Sequence, residues 1–245
     1  MRNTFITLAL SILFNTSLYA QSIIVDTSEM FFPTEMLVEK QLYDYWHNDT
    51  LFLSLFAQAL GHSPNSCEID SMLNIQLQNT AIKKNILYSS ELIKLEEPVI
   101  CYGYPKNVYR FTWFHNELKY DYNPYSIRIE ENDIDNHIVI YSYCYWGKNI
   151  CNYDCDTLAL NEEQWSDFIK LINDFNFWEK PSTLDTLVAV FGGSTYILES
   201  YVDNRYHVIF RETALDSSID NLQKYLWKLT GLKKNKSKKK SCKLF

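Results

Sequence analysis

No run of about 20 consecutive apolar residues occurs in this 245-residue chain, so the sequence predicts no free-standing membrane helix. The cysteines lack the paired C-x2-C knuckles of common zinc sites. There is no G-x-S-x-G elbow, no EF-hand spacing and no internal repeat. Among six glycines, one adjacent pair stands out, Gly192-Gly193. It is far from a phosphate-binding fingerprint and reads as a turn into the next strand. The main catalytic, metal and nucleotide chemistries are thus without a motif, and no cofactor is expected.

What is present begins with an export leader. Met1-Arg2-Asn3 is a short positive start, Thr4 to Phe14 is an uncharged and mostly apolar run, and Leu18-Tyr19-Ala20 precedes Gln21. This three-part layout reads as a signal peptide over 1–20, with an uncleaved N-terminal anchor as the alternative. No Cys follows the apolar run, so lipid attachment is not expected. The expected location is periplasmic or extracellular.

Charge is unevenly spread. Seven of the 23 basic residues are lysines between Lys233 and Lys243, and one is Arg2, which leaves 15 basic against 30 acidic side chains over 21–232. An acidic body disfavours nucleic acid and anionic lipid as partners of the folded part. The basic tail, 232–245, reads as solvated and disordered. Weak contact of Lys233–Lys243 with an anionic membrane surface is its other reading.

Along the chain, 21–100 reads as mainly helical. Helices are expected at about 35–47, 51–60 and 67–78, with a short one near 90–96. After Pro98 the pattern changes to runs rich in Tyr, Ile and Val at every second position. Strands are expected at 108–114, 125–131, 137–146, 153–160, 194–202 and 205–211, the last two joined by Asp203-Asn204 as a two-residue turn. Asn161 and Gln164 form a capping box for a helix bearing Trp165, Phe168, Ile169 and Ile172 on one face. A final helix spans about 217–230. The fold class is therefore α+β: an N-terminal helical segment, then an α+β domain over 101–231 in which an antiparallel sheet carries helices packed on one face.

Six cysteines meet oxidising surroundings if the chain is exported. Cys144, Cys151 and Cys155 invite a metal reading with His137, but a disulfide is favoured, free thiols come next and the metal site last. With Gly147-Lys148 as a turn, Cys144 lies opposite Cys151, inside the span of a disulfide. Cys155 then has Cys101, Cys67 or either hairpin cysteine as a partner.

The best polar cluster sits on the 194–211 hairpin. Ser200 faces His207 and Tyr196 faces Arg211, so Ser200, His207 and Arg211 are the candidate catalytic residues of a hydrolase-like site. No orienting acid shares that face, because Glu199 points the other way. Cross-strand polar pairs of this kind commonly finish the wet face of a sheet. The acids Glu130, Glu131, Asp133 and Asp135 read as a solvated loop between strands.

Several segments also carry a likeness. Tyr109-Arg110-Phe111-Thr112-Trp113-Phe114, Asn123-Pro124 before Ile127 and Arg128, and Leu160-Asn161-Glu162-Glu163-Gln164-Trp165 are the first. Phe177-Trp178, Gly192, Tyr196-Ile197-Leu198-Glu199 and Tyr206-His207-Val208 follow. Over about 108–232 the chain resembles a family of uncharacterised exported bacterial domains with no established activity. The resemblance implies a bacterial source and an α+β fold. Such domains pair an acid with the Gly before the first hairpin strand, and a Trp follows; here Phe191 and Tyr196 stand instead. The functional expectation is a non-enzymatic binding or structural protein of a bacterial envelope, whose partner is another protein or an envelope component.

Overall fold

A computed structural model describes residues 30–38, 47, 53–54, 65–115, 124–132, 136–147, 150–183, 194–212 and 219–232. The expected leader over 1–20, most of the two helices expected before residue 61, Gly192-Gly193, Asp133, Asp135, Phe191, Cys242 and the lysine-rich residues 233–245 lie outside the described residues.

The α+β class holds. Among the described residues, six strands form one antiparallel sheet: β1 (Val108–His115), β2 (Tyr125–Asn132), β3 (Asn136–Gly147), β4 (Ile150–Leu160), β5 (Ser194–Val202) and β6 (Arg205–Glu212). Their order is β4-β3-β2-β1-β5-β6. Helix α1 (Ser66–Lys94) precedes the sheet, α2 (Glu162–Asp174) follows β4, and α3 (Ile219–Thr230) follows β6.

Alternation along the strands sends successive side chains to opposite faces. Tyr109, Phe111, Tyr125, Ile127, Val139, Tyr196 and Leu198 meet Phe168 and Ile172 of α2 and Leu222 and Leu226 of α3 in one core. Tyr225 of α3 donates to the Gln164 carbonyl at 2.6 Å and ties the two helices together. Helix α2 starts with the expected capping box: Gln164 N–H donates to Asn161 Oδ1 at 2.8 Å, and Asn161 N–H donates to Gln164 Oε1 at 3.0 Å. These two helices share one sheet face, as the strand pattern predicts.

The opposite face is covered as well, by α1 and the segment 30–38. Phe114, Ile197, Val208 and Phe210 pack there with Ala81, Tyr88, Leu92, Phe31 and Phe32. Tyr88 stacks on Phe114 at 5.6 Å and on Phe210 at 5.8 Å between ring centroids. Buried Asn85 donates to the Phe32 carbonyl at 2.6 Å, and Phe31 N–H donates to Ser89 Oγ at 2.9 Å. Helix α1 is thus one continuous 29-residue element where the sequence predicts a helix ending near 78 and a second near 90–96.

On both edge strands some backbone amides are met by local acceptors. On β4, Cys155 N–H donates to Asp154 Oδ1 at 3.0 Å and Thr157 N–H to Asp156 Oδ1 at 2.8 Å. On β6, Phe210 N–H donates to the Ser182 carbonyl at 2.7 Å. Edge strands left open pair with other chains, and local acceptors of this kind block that.

Candidate functional site

The β5–β6 hairpin turns at Asp203-Asn204, both in the left-handed region at φ 51° and 61°. That geometry brings Ser200 opposite His207 and Tyr196 opposite Arg211, as the two-residue turn requires. Each candidate then engages backbone. Ser200 Oγ donates to the Val108 carbonyl at 2.9 Å across to β1. His207 Nε2 lies 2.9 Å from the Lys180 carbonyl, with its ring against Phe177 and Trp178. Burial holds the His207 imidazole below its ordinary pKa, with the Lys180 carbonyl pulling the other way. Arg211 donates from Nη2 to the Pro181 carbonyl at 2.9 Å and from Nη1 to the Ser182 carbonyl at 3.2 Å. His207 and Arg211 therefore strap residues 180–182 along β6. Ser200, whose hydroxyl is donated to β1, does not hand its proton to His207.

Glu199 points to the other face, as the alternation predicts, and there it joins a buried ionic network that the sequence reading missed. Glu199, Arg110 and Arg128 sit side by side on β5, β1 and β2. Two arginines directly opposite each other repel. Glu97, arriving from the end of α1, separates them: its Oε2 lies 3.0 Å from Arg128 Nε and 3.5 Å from Arg110 Nη1. Arg110 also pairs with Glu199, whose second oxygen accepts from Tyr206 at 2.9 Å. Arg128 pairs with Glu130 and donates to Tyr104 Oη at 2.8 Å, and Lys106 lies 3.4 Å from Glu130. Three cations thus balance three carboxylates. Burial alone would pull Arg110 down, but Glu199 and Glu97 outweigh it and hold its guanidinium firmly charged.

Glu130 and Glu131 are accordingly not loop residues. The strand runs on to Asn132, Glu130 is buried in the network, and Glu131 accepts from Asn107 Nδ2 at 2.8 Å.

The β3–β4 ladder corrects the cysteine geometry. The strands pair up to Gly147 opposite Ile150, so Cys144 is paired with Tyr153 and Cys151 with Trp146. The reversal therefore falls one residue later than a Gly147-Lys148 turn, which moves the partner of Cys144 by two residues, and Cys144 is not opposite Cys151. Cys155 lies opposite Ser142, on the diagonal from Cys144. Cys67 and Cys101, weighed above as disulfide partners, are free thiols. Burial, reinforced by the charge of Glu199, pushes the Cys101 thiol up to about 12. His137 stacks on Trp165 at 3.6 Å on the α2 side, whereas Cys144 occupies an alternate position of the same strand, so the two do not share a face. Among the described residues, no group of three or more His, Cys, Asp and Glu is placed to hold a metal ion.

The remaining feature is apolar. Among the described residues, large hydrophobic side chains are exposed mainly on α1: Met72, Ile75, Ile86, Leu87 and Ile93, with Tyr102 and Tyr153 elsewhere. A scattered exposed Leu is ordinary, but several on one helix form a patch. Comparison with family models, with curated proteins and with solved structures gives no match.

Proposed function

We propose that this chain is an exported, non-enzymatic binding or structural protein of a bacterial envelope, acting through protein contact. The gathering of exposed apolar side chains on α1 carries the reading. It is supported by the use of Ser200, His207 and Arg211 as backbone straps. The leader at 1–20 and the likeness of 108–232 to exported bacterial domains supply the compartment. In that compartment Cys144 bonds to Cys155. The twist of an antiparallel ribbon brings one diagonal pair close, and neither cysteine belongs to the free thiols.

The test is expression of the whole chain in a bacterial host. Mature protein beginning at Gln21 in the periplasm or medium, with a disulfide-linked peptide pair containing Cys144 and Cys155, is the expected result. Retention of the first twenty residues in a cytosolic product with reduced thiols would overturn export. Covalent labelling of Ser200 by a fluorophosphonate, lost in Ser200→Ala, would overturn the non-enzymatic reading.

A further inference from the structure

We infer that the exposed stripe of α1 is a seam on which a second copy of this chain docks, helix beside helix in parallel. The inference rests on the protein-contact reading above and names its partner.

The spacing of the stripe is that of a coiled-coil seam. Met72, Asn79, Ile86 and Ile93 fall seven residues apart, and Ile75 and Ile82 fall three residues after the first two of them. These are the a and d positions of a heptad. Met72, Ile75, Ile86 and Ile93 are 38%, 57%, 41% and 49% exposed. Asn79 is exposed and Ile82 half-buried. The next d position, Ser89, is turned into the core beneath Phe31. A straight helix drifts against a seven-residue repeat in this way. Over Met72–Ile93 the seam is about 32 Å long at 1.5 Å per residue. The core-facing residues Ile69, Leu73, Leu77, Ala81, Tyr88 and Leu92 occupy a different side of the helix. A second copy can therefore reach the seam without disturbing the fold.

Four observations select a second copy as the occupant. A heptad seam is matched by a helix of the same period, and among the described residues α1 is the helix that presents one. Asn79 lies alone at an a position among apolar neighbours. Isoleucine at both a and d positions favours higher oligomers, but a single a-position Asn fixes register and holds the state to two parallel strands, where it meets its own copy. Charge agrees: the body over 21–232 is strongly acidic, yet α1 carries Lys83, Lys84 and Lys94 against Glu68, Asp70 and Glu91. Along the flanks of the seam, Lys83 meets Gln78 of the other copy rather than a like charge. The edge amides of Cys155, Thr157 and Phe210 are already taken by local acceptors, which disfavours strand addition as a competing route.

Sedimentation equilibrium of the mature chain, up to about 100 μM, tests the inference. A reversible dimer is expected. Ile75→Asp with Ile86→Asp should weaken it by at least about 100-fold while leaving the circular dichroism of the folded chain unchanged, because both side chains are exposed. Ile75→Cys in a Cys67→Ser background should cross-link between copies on mild oxidation, since d positions face each other in a parallel, in-register pair. A chain that stays monomeric throughout, or a dimer indifferent to the double substitution, overturns the inference. An apolar naphthalene-sulfonate dye separates the two possible failures. If the monomer binds the dye and the double variant does not, the patch is real and the second copy alone is wrong. If neither binds it, the protein-contact reading falls too.

Discussion

Strand β1 shows the two faces of the sheet side by side. Toward α2 and α3 it projects Tyr109, Phe111 and Trp113, which meet Phe168, Tyr125 and Tyr196 edge to face, stacked or tilted. Toward α1 it projects Val108, Arg110, Thr112 and Phe114, and the arginine is fully buried. Aromatic packing is tolerant: each ring gains from area and dispersion with whatever lies near. A buried ion is not tolerant. It needs its partner at a particular place, and desolvation offsets much of what the pairing returns. The first face supplies cohesion. The second ties a particular loop, 95–107, to a particular part of the sheet.

The largest expected effect tests that difference. Glu199→Ala strips Arg110 of its closest carboxylate in a site without water access, and should cost about 3–5 kcal/mol in urea denaturation. Phe168→Ala on the other face should cost a similar amount, about 3–5 kcal/mol, through the cavity it leaves. The faces part company on rescue. Arg110→Met combined with Glu199→Leu should restore stability or exceed the wild type, because the ions go together and apolar groups of similar volume replace them. A double variant as unstable as Glu199→Ala would show that the network contributes net stability, and the contrast between the faces would fail.

The apolar face is far more legible in the sequence than the ionic one. Alternation places all six strands to within a few residues, and the Asp203-Asn204 turn alone sets Ser200 against His207 and turns Glu199 away. The same alternation hides the network. Arg110, Arg128 and Glu130 occupy every second position, which in an antiparallel strand reads as a wet face, and their covering residues Glu97 and Tyr104 come from a stretch without periodicity. Helix α1 reads as two pieces for a related reason. Met72, Ile75, Ile86 and Ile93 lie outside its core stripe, so apolar residues on two sides blur the 3.6-residue repeat, while Asn79-Thr80 and Lys83-Lys84-Asn85 read as a polar break. The cysteine ladder slips because Gly147 attracts a turn, although the strand pairing continues through it.

A smaller effect concerns how the chain enters each face. Helices α1 and α2 both end in a residue held in the left-handed region, Glu96 at φ 56° and Asn176 at φ 55°. At α1 the closure is a Schellman motif, with Glu97 N–H donating to the Leu92 carbonyl and Glu96 N–H to the Ile93 carbonyl, both at 3.0 Å. Asn adopts this conformation readily, whereas Glu is strained there. The cost at Glu96 is what delivers Glu97 between the two arginines. Glu96→Gly should therefore stabilise the fold by about 1 kcal/mol, and Asn176→Gly by only a few tenths. Equal gains at the two sites would mean that the ionic face carries no particular backbone strain at its entry.

The smallest effect is a pH slope on the aromatic side. Burial depresses the pKa of His207 below its ordinary value of 6.5. As pH falls past that value, the unfolded chain takes up the proton while the folded one resists it. The contribution of His207 is thus fully present above about pH 6.5 and is lost as pH falls through the lower, folded-state value. His207→Gln keeps a donor for the Lys180 carbonyl but cannot take the proton. Between about pH 7 and pH 5 the melting temperature of the wild type should fall more than that of the variant, by a difference that vanishes at higher pH. The two proteins differ at residue 207 alone, so the comparison isolates that side chain. If the two curves stay parallel across that window, His207 is not proton-linked to folding.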